Sequence, residues 1–128
     1  MTFAKFFLAI AAILGGLSVA GGAFATHSLK NMLTEKALAT FETGIRYQMY
    51  HALALLLIAL LLLTTEVSPV FLISAGWAYI AGVVLFSGSL YILSLAGVKW
   101  MGALAPLGGL GFLVGWSCLA IAALTLKA

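Results

Sequence analysis

The sequence predicts an all-α integral membrane protein, an antiparallel bundle of four transmembrane helices with a short interfacial amphipathic helix between the first and second. Four uncharged stretches indicate this fold: residues 6–26, 47–65, 67–98 and 100–126. Each is long enough to cross a bilayer, whose hydrocarbon core of about 30 Å takes about 20 helical residues. Of the 128 residues, 65% are hydrophobic and 7% charged, against about 25% charged in a soluble domain. An ordinary soluble fold is therefore excluded.

The predicted membrane spans form a single domain, residues 1–128, and cover residues 6–26, 47–65, 70–97 and 101–126. They are predicted as helices because a backbone polar group removed from water costs several kcal/mol unless it bonds within its own segment. The connections after the second and third spans are only a few residues long, which places consecutive helices antiparallel. The formal charge of +3 is too small and too dispersed to indicate a nucleic-acid partner.

The first span carries small residues every four positions, at Ala12, Gly16 and Ala20. Such a stripe lets the backbone of another helix approach closely. The fourth span has the same feature at Gly111 and Gly115. We expect both stripes to be close helix contacts, either within the chain or between chains.

The N-terminal segment also resembles a secretory signal peptide, with Lys5, an apolar run over residues 6–14 and an Ala23-Phe24-Ala25 cleavage pattern. The glycine pairs Gly15-Gly16 and Gly21-Gly22 are more typical of a packing surface. We therefore interpret this segment as the first membrane helix.

The long polar connection after the first span contains the predicted interfacial helix, over about residues 34–43. Its apolar positions share one helical face: Ala37, Leu38, Phe41 and Ile45. A helix with this pattern lies in the headgroup region of a membrane. Thr34 is the predicted N-cap, and Gly44 weakens the helix before the second span. Glu42 and Arg46 have the spacing of an i, i+4 ion pair.

Two prolines mark the remaining spans. Pro69 is expected to open the third helix in its first turn, where its missing N–H is not needed. Pro106, followed by Gly108 and Gly109, lies inside the fourth apolar stretch. We expect it to kink that helix, with the freed backbone groups satisfied by neighbouring packing. The alternative is a break that exposes backbone at a binding site, as in transporters.

Four motifs, in order along essentially the whole chain, carry a resemblance: Gly22-Ala23-Phe24-Ala25-Thr26-His27-Ser28-Leu29, Tyr47-Gln48-Met49-Tyr50-His51-Ala52-Leu53-Ala54-Leu55, Phe86-Ser87-Gly88-Ser89-Leu90-Tyr91, and Pro106-Leu107-Gly108-Gly109 followed by Gly115-Trp116. With the spacing of the spans, the sequence resembles the domain-of-unknown-function 423 family, which also includes the small vertebrate transmembrane protein 256. Ala25 and Ser28 depart from the family, where Gly is usual at the first position and common at the second. The resemblance implies a four-helix inner-membrane protein without an established biochemical activity.

Polar side chains near one end of the spans form a candidate cluster: His27, Tyr47, Gln48, His51, Ser87 and Tyr91. Polar groups in a membrane helix face the bundle interior because lipid offers them no partner. His27 ends the first span and His51 lies one turn into the second, so both are expected near the same membrane boundary. We interpret the cluster as interhelical hydrogen bonds that fix helix register. The alternative is a metal or haem bound between His27 and His51.

No catalytic residue is predicted, and the protein is expected not to be an enzyme. The sequence contains no Asp, the spans contain no carboxylate pair, and Ser87 has no recognisable base beside it. We predict neither a bound metal nor a cofactor. Cys118 is expected to pack as a small apolar side chain.

The sequence-based hypothesis for function is a packing or accessory component of the lipid bilayer that self-associates or joins a larger membrane complex. The alternative is a membrane protein that binds or transports a small molecule, lipid or cofactor near His27 and His51. Cations favour one end of the bundle, with Lys30, Lys36, Arg46 and Lys99 against Lys5 and Lys127. The positive-inside rule then predicts that the long loop lies in the cytoplasm and both termini outside, in the inner (plasma) membrane that the resemblance implies.

Overall fold

A computed structural model of the chain describes residues 2–127. It contains four long helices: α1, Phe3–His27; α2, Glu35–Thr64; α3, Pro69–Ala96; and α4, Ala105–Leu124. Short 3₁₀ helices, Leu29–Asn31 and Lys99–Ala103, precede α2 and α4. With the adjoining 3₁₀ turns, all four segments are long and apolar enough to cross a membrane. The predicted all-α, four-span fold is confirmed.

The ends of the helices follow local sequence signals. The hydroxyl of Thr34 accepts a hydrogen bond of 3.1 Å from the backbone N–H of Ala37, so it caps α2 as predicted. Pro69 occupies the first turn of α3, as predicted. Gly97 ends α3 in the left-handed conformation, with φ of 68°, which glycine adopts without steric cost.

The segment predicted as a separate interfacial helix is instead the first part of α2. This helix runs without a break from Glu35 through Gly44 to Thr64. A glycine inside a helix costs only about 1 kcal/mol, and here tertiary contacts offset that cost. Gly44 is buried, its carbonyl accepts from Ser87 Oγ at 2.7 Å, and a Cβ at this position would lie 2.6 Å from Tyr91 Cε1. The glycine is thus a close contact between α2 and α3.

Pro106 does not lie inside a continuous helix, as the expected kink requires. Helix α4 begins at Ala105, so Pro106 lies in the first turn. The missing N–H of a proline has no intrahelical partner to lose at that position. The residues before it form a 3₁₀ turn rather than α-helix.

Helices α2 and α3 pack together at the centre of the bundle, with α1 against α2 and α4 against α3. The core contains residues from all four helices, and its largest fully buried side chains are Phe7, Leu55, Ile58, Leu72 and Tyr79. The chain order of the helices is therefore also their order of contact.

Helices α3 and α4 approach closely because glycines face each other between them. A Cβ on Gly108 would collide with the backbone of Phe86, and one on Gly111 would lie 3.3 Å from the Cα of Gly82. A Cβ on Gly115 would lie 2.5 Å from the ring of Tyr79. The stripe at Gly111 and Gly115 thus forms a contact within the chain.

The stripe on α1 lies differently. Ala12, Gly16 and Ala20 are exposed, and a Cβ on Gly16 would meet nothing within 4 Å. The buried residues of α1 fall on the adjacent face: Ala4, Phe7, Ala11, Ser18 and Ala25. This stripe therefore makes no close helix contact among the described residues, and its expected contact stays a prediction for an interface between chains.

Candidate functional site

The polar centre of the bundle is His51, which is 4% exposed. Its Nδ1 lies 2.7 Å from the backbone carbonyl oxygen of Tyr47, one turn earlier on α2. Its Nε2 accepts a hydrogen bond of 3.1 Å from Nε1 of Trp116 on α4. Both nitrogens of the imidazole are therefore engaged within the chain.

These two bonds assign the tautomer of His51. An indole N–H only donates, so the Nε2 that receives it must be unprotonated. The proton of a neutral imidazole then lies on Nδ1, which donates to the carbonyl of Tyr47. An imidazolium would instead place an N–H against the indole N–H of Trp116. The arrangement fits the neutral ring alone.

Aromatic rings enclose this imidazole. The ring of Phe112 stacks on His51 with centroids 3.6 Å apart and planes tilted by 6°. Tyr79 lies 5.4 Å away on α3, and Trp116 meets His51 edge to face at 5.9 Å. Contacts of this kind stabilise by about 0.5–1.5 kcal/mol each beyond the area they bury. His51 thus joins α2 to α3 and α4.

A second polar group, the side-chain amide of Gln48, joins three helices. Its Nε2 donates to the backbone carbonyl of Leu14 on α1 at 2.9 Å. Its Oε1 accepts from the hydroxyl of Tyr91 on α3 at 2.6 Å. Gln48 is buried, and Ser87 adds the nearby bond to the Gly44 carbonyl. Interhelical bonds of this kind fix the register of membrane helices.

The structure separates His27 from His51. Gln48, one turn before His51, bonds to Leu14 near the middle of α1. His27 ends α1 about 20 Å farther along the helix, and its side chain is exposed. The expectation that both histidines lie at one membrane boundary is wrong, because α2 begins at Glu35 and carries His51 to the middle of the bundle. The two imidazoles cannot share a ligand within one chain.

The predicted cluster is therefore brought together in part. Gln48, Ser87 and Tyr91 bond at the α2–α3 contact, and His51 lies one turn farther along α2. The side chain of Tyr47 is 39% exposed; its backbone carbonyl bonds to His51, and its ring lies stacked at 6.3 Å from the imidazole. Phe112 and Trp116 were missed by sequence reasoning. Their i, i+4 spacing on one face of α4 was the signal available for them.

A groove opens between α2 and α4 beside His51, with a volume of about 400 Å³. Its walls are largely aromatic: Tyr47, Tyr50, Phe86, Phe112 and Trp116. It faces outward, where lipid chains surround a membrane-spanning bundle. Within residues 2–127, no group of three or more His, Cys, Asp or Glu side chains could hold a metal ion. The chemistry of the groove is thus mainly that of ring faces.

Comparison with known proteins identifies the family. A family model described as a protein of unknown function, DUF423, matches residues 21–109, which include the Gln48, His51 and Tyr91 positions. The chain belongs to the DUF423 family. The expected family membership is confirmed.

Relatives of this DUF423 protein are similar along nearly their whole length. A UPF0382 membrane protein of Bacillus subtilis (strain 168) is 42% identical over 120 residues, covering 93% of this chain and 96% of the relative. One from Staphylococcus haemolyticus (strain JCSC1435) is 42% identical over 117 residues, covering 91% and 93%. One from Staphylococcus aureus (strain bovine RF122) is 41% identical over 118 residues, covering 92% and 94%.

These names and the four apolar helices establish a membrane protein, and they indicate no specific activity for this DUF423 chain. No solved structure matches the chain. Its function must be argued from the arrangement of its residues.

Proposed function

We propose that this DUF423 protein is a non-enzymatic component of the membrane that acts by associating with other membrane helices, either its own copies or a larger complex. The observation that carries this proposal is His51, whose two ring nitrogens are engaged within the chain and whose ring is stacked under Phe112. A histidine held in this way stabilises the bundle and has no nitrogen free to bind metal or move a proton.

The remaining polar groups support the same role. The amide of Gln48 and the hydroxyls of Tyr91 and Ser87 are used in bonds between helices. Small residues of α1, by contrast, face outward with space beside them. The polar groups of the interior are used in hydrogen bonds between helices, and the outer surface lets another helix approach closely. This combination favours a protein that acts by binding other membrane helices.

The proposal is tested by the size of the protein in its own membrane. Native membrane discs, cut out without detergent, are purified through a tag on the full chain and measured by mass photometry with quantitative mass spectrometry. We expect more than one 13.3 kDa chain, or stoichiometric partner chains, in each disc. Single chains without a stoichiometric partner, at native expression, would contradict the proposal.

We also propose a location in the inner (plasma) membrane with the long loop in the cytoplasm and both termini outside. Lys36 and Lys99 line one cleft between the start of α2 and the end of α3. Lys30 lies in the connection between α1 and α2. Lys5 and Lys127 lie on the two terminal segments, at the other end of the antiparallel bundle. The larger number of cations is expected on the cytoplasmic side.

The aromatic groove favours a second candidate function, the binding of an apolar, ring-bearing small molecule within the membrane. Stacked rings and a volume of about 400 Å³ suit such a molecule. Gly109 lines the groove and has no atom within 4 Å of an added Cβ, so Gly109→Leu would fill it. A non-lipid adduct in native mass spectrometry that this substitution removes would favour the second candidate.

A further inference from the structure

Arg46 lies on the outward face of α2, well inside the ends of the neighbouring helices. Its side chain is exposed. Gly44, two residues earlier, is level with Ser87 because the two form a hydrogen bond. From Ser87, α3 continues for about 14 Å to Ala96, and α1 also extends beyond this level. The backbone of Arg46 thus lies well inside the ends of the bundle, on its outward surface, and we expect apolar lipid at this depth.

A cation at this depth requires a partner. Charged residues inside a membrane helix are costly, and they usually pair or face a protein interior. Within residues 2–127, the guanidinium of Arg46 makes its hydrogen bond to a neutral group, the Thr43 hydroxyl, at 3.3 Å. The expected bond to Glu42 is not the one that forms. The hydrogen bond that Arg46 makes within residues 2–127 therefore leaves its charge without neutralisation by a carboxylate.

The direction of the Arg46 side chain indicates where that partner lies. Its bond to Thr43 turns the guanidinium toward the start of α2, to the level of residues 42 and 43. A second copy related by a twofold axis along the membrane normal has its α2 parallel to the first. Glu42 of that copy then occurs at the height of the guanidinium, and the twofold axis repeats the contact in the other direction.

The surface beside Arg46 has the shape for such a contact. A groove of about 350 Å³ runs between α1 and α2, with Ala12, Gly15 and Gly16 along one wall. An added Cβ on either glycine meets nothing within 4 Å. The α2 side chain Leu53, which lines this groove, and Tyr50, between it and the aromatic groove, protrude and are 57% and 51% exposed. A ridge beside a small-residue groove is the pairing by which membrane helices pack.

We propose that the α1–α2 face of this chain binds a second copy of the chain in the same orientation, with Arg46 of each copy paired to Glu42 of the other. The charged pair specifies the register, and the groove at Gly15 and Gly16 receives the outward side chains of the opposite α2. This inference rests on the proposed function and narrows its partner to the protein itself.

Charge exchange tests the pairing. The full chain, with Cys118→Ala and a dye on Lys127→Cys, is placed in liposomes over a range of protein-to-lipid ratios, and bleaching steps are counted. We expect Glu42→Arg and Arg46→Glu each to weaken the dimer by roughly tenfold or more. The double variant, E42R/R46E, should restore it to within about threefold. Lys36→Glu is the matched control, a charge reversal on the same helix outside the proposed pair.

Folding is checked separately with the neutral variants Glu42→Gln and Arg46→Gln. Glu42→Gln keeps the size of the side chain, whereas Arg46→Gln shortens it, and each should retain helical circular dichroism while weakening the dimer. If all variants dimerise as well as the original chain, association uses another face; this inference fails and the proposed function stands. If the single changes weaken the dimer and the double change gives no recovery, Glu42 and Arg46 do not pair with each other and the inference is overturned. A chain that is monomeric at every ratio overturns it as well, and single chains in native discs would remove the proposed function too.

Discussion

The hydroxyl of Tyr91 and Oε1 of Gln48 lie 2.6 Å apart, and this bond joins α3 to α2. Because Nε2 of Gln48 also donates to the backbone carbonyl of Leu14, one amide holds three helices at the same level. A buried amide with both ends bonded restricts the sliding of each helix along the others.

Tyr91→Phe is expected to destabilise the bundle by about 1 kcal/mol, because it leaves the buried carbonyl oxygen of Gln48 without its donor. Tyr50→Phe removes the same atom from a side chain that is 51% exposed and should change stability little. Thermal unfolding of the purified protein in one detergent measures both. Equal melting temperatures for the two variants would contradict the role given to Gln48.

Two adjacent glycines test the close contact of α3 with α4. A Cβ on Gly108 collides with the backbone of Phe86, which cannot move aside as a side-chain end can. Gly108→Ala should therefore destabilise the protein by about 1–3 kcal/mol. Gly109→Ala has space around its Cβ and gains helix propensity, so it should be neutral or stabilising by up to about 1 kcal/mol. The comparison is made by thermal unfolding, and a Gly108→Ala protein as stable as Gly109→Ala would show that the helices are not in contact there.

The two histidines are expected to differ in their effect on stability. His51→Ala removes two hydrogen bonds and the stack on Phe112, so the free energy of unfolding should fall by about 2 kcal/mol. His27→Ala changes an exposed side chain and should cost less than about 0.5 kcal/mol. Denaturant titration in mixed micelles gives both values. A larger loss for His27 than for His51 would reverse the assignment of the structural residue.

The orientation of the chain is tested at Ala39, which is exposed on α2 near the cation-rich end. With Cys118→Ala as background, Ala39→Cys should react with a membrane-impermeant thiol reagent only after cells are opened. Thr2→Cys at the opposite end should react in intact cells. Labelling of Ala39→Cys from outside intact cells would invert the proposed topology.

The helical spans could be predicted because an uncharged run of 20 residues has one stable solution in lipid. The positions at which these helices begin and end could not be predicted in the same way. Gly44 and Pro106 are local signals for a broken helix, but neither breaks one. Gly44 is held in α2 by its contacts with Ser87 and Tyr91, and Pro106 lies in the first turn of α4, where proline is tolerated. Such contacts come from residues more than forty positions away along the chain.

The face of α1 that packs against the bundle could not be predicted from the sequence either. In a soluble helix the polar face marks the outside, but both the lipid face and the packed face of a membrane helix are apolar. The small residues Ala12 and Gly16 therefore suggest a contact without showing which neighbour makes it, and in this chain the buried line is that of Ala11 and Ser18. The sequence also did not indicate that Trp116 bonds to His51, because Trp116 lies on the last helix and the face of that helix toward α2 was unknown.

The proposed function depends most directly on the state of His51, which nitrogen-15 nuclear magnetic resonance of histidine-labelled protein in bilayers reports. The hydrogen bonds to Tyr47 and Trp116 predict a neutral ring protonated at Nδ1, with an unprotonated Nε2. They also predict that these signals stay unchanged when zinc or haem is added. His51→Phe supplies the assignment by removing the signals. An Nε2-protonated ring, or a shift of the His51 nitrogens on adding either ligand, would contradict the structural role of this residue and with it the proposal built on it.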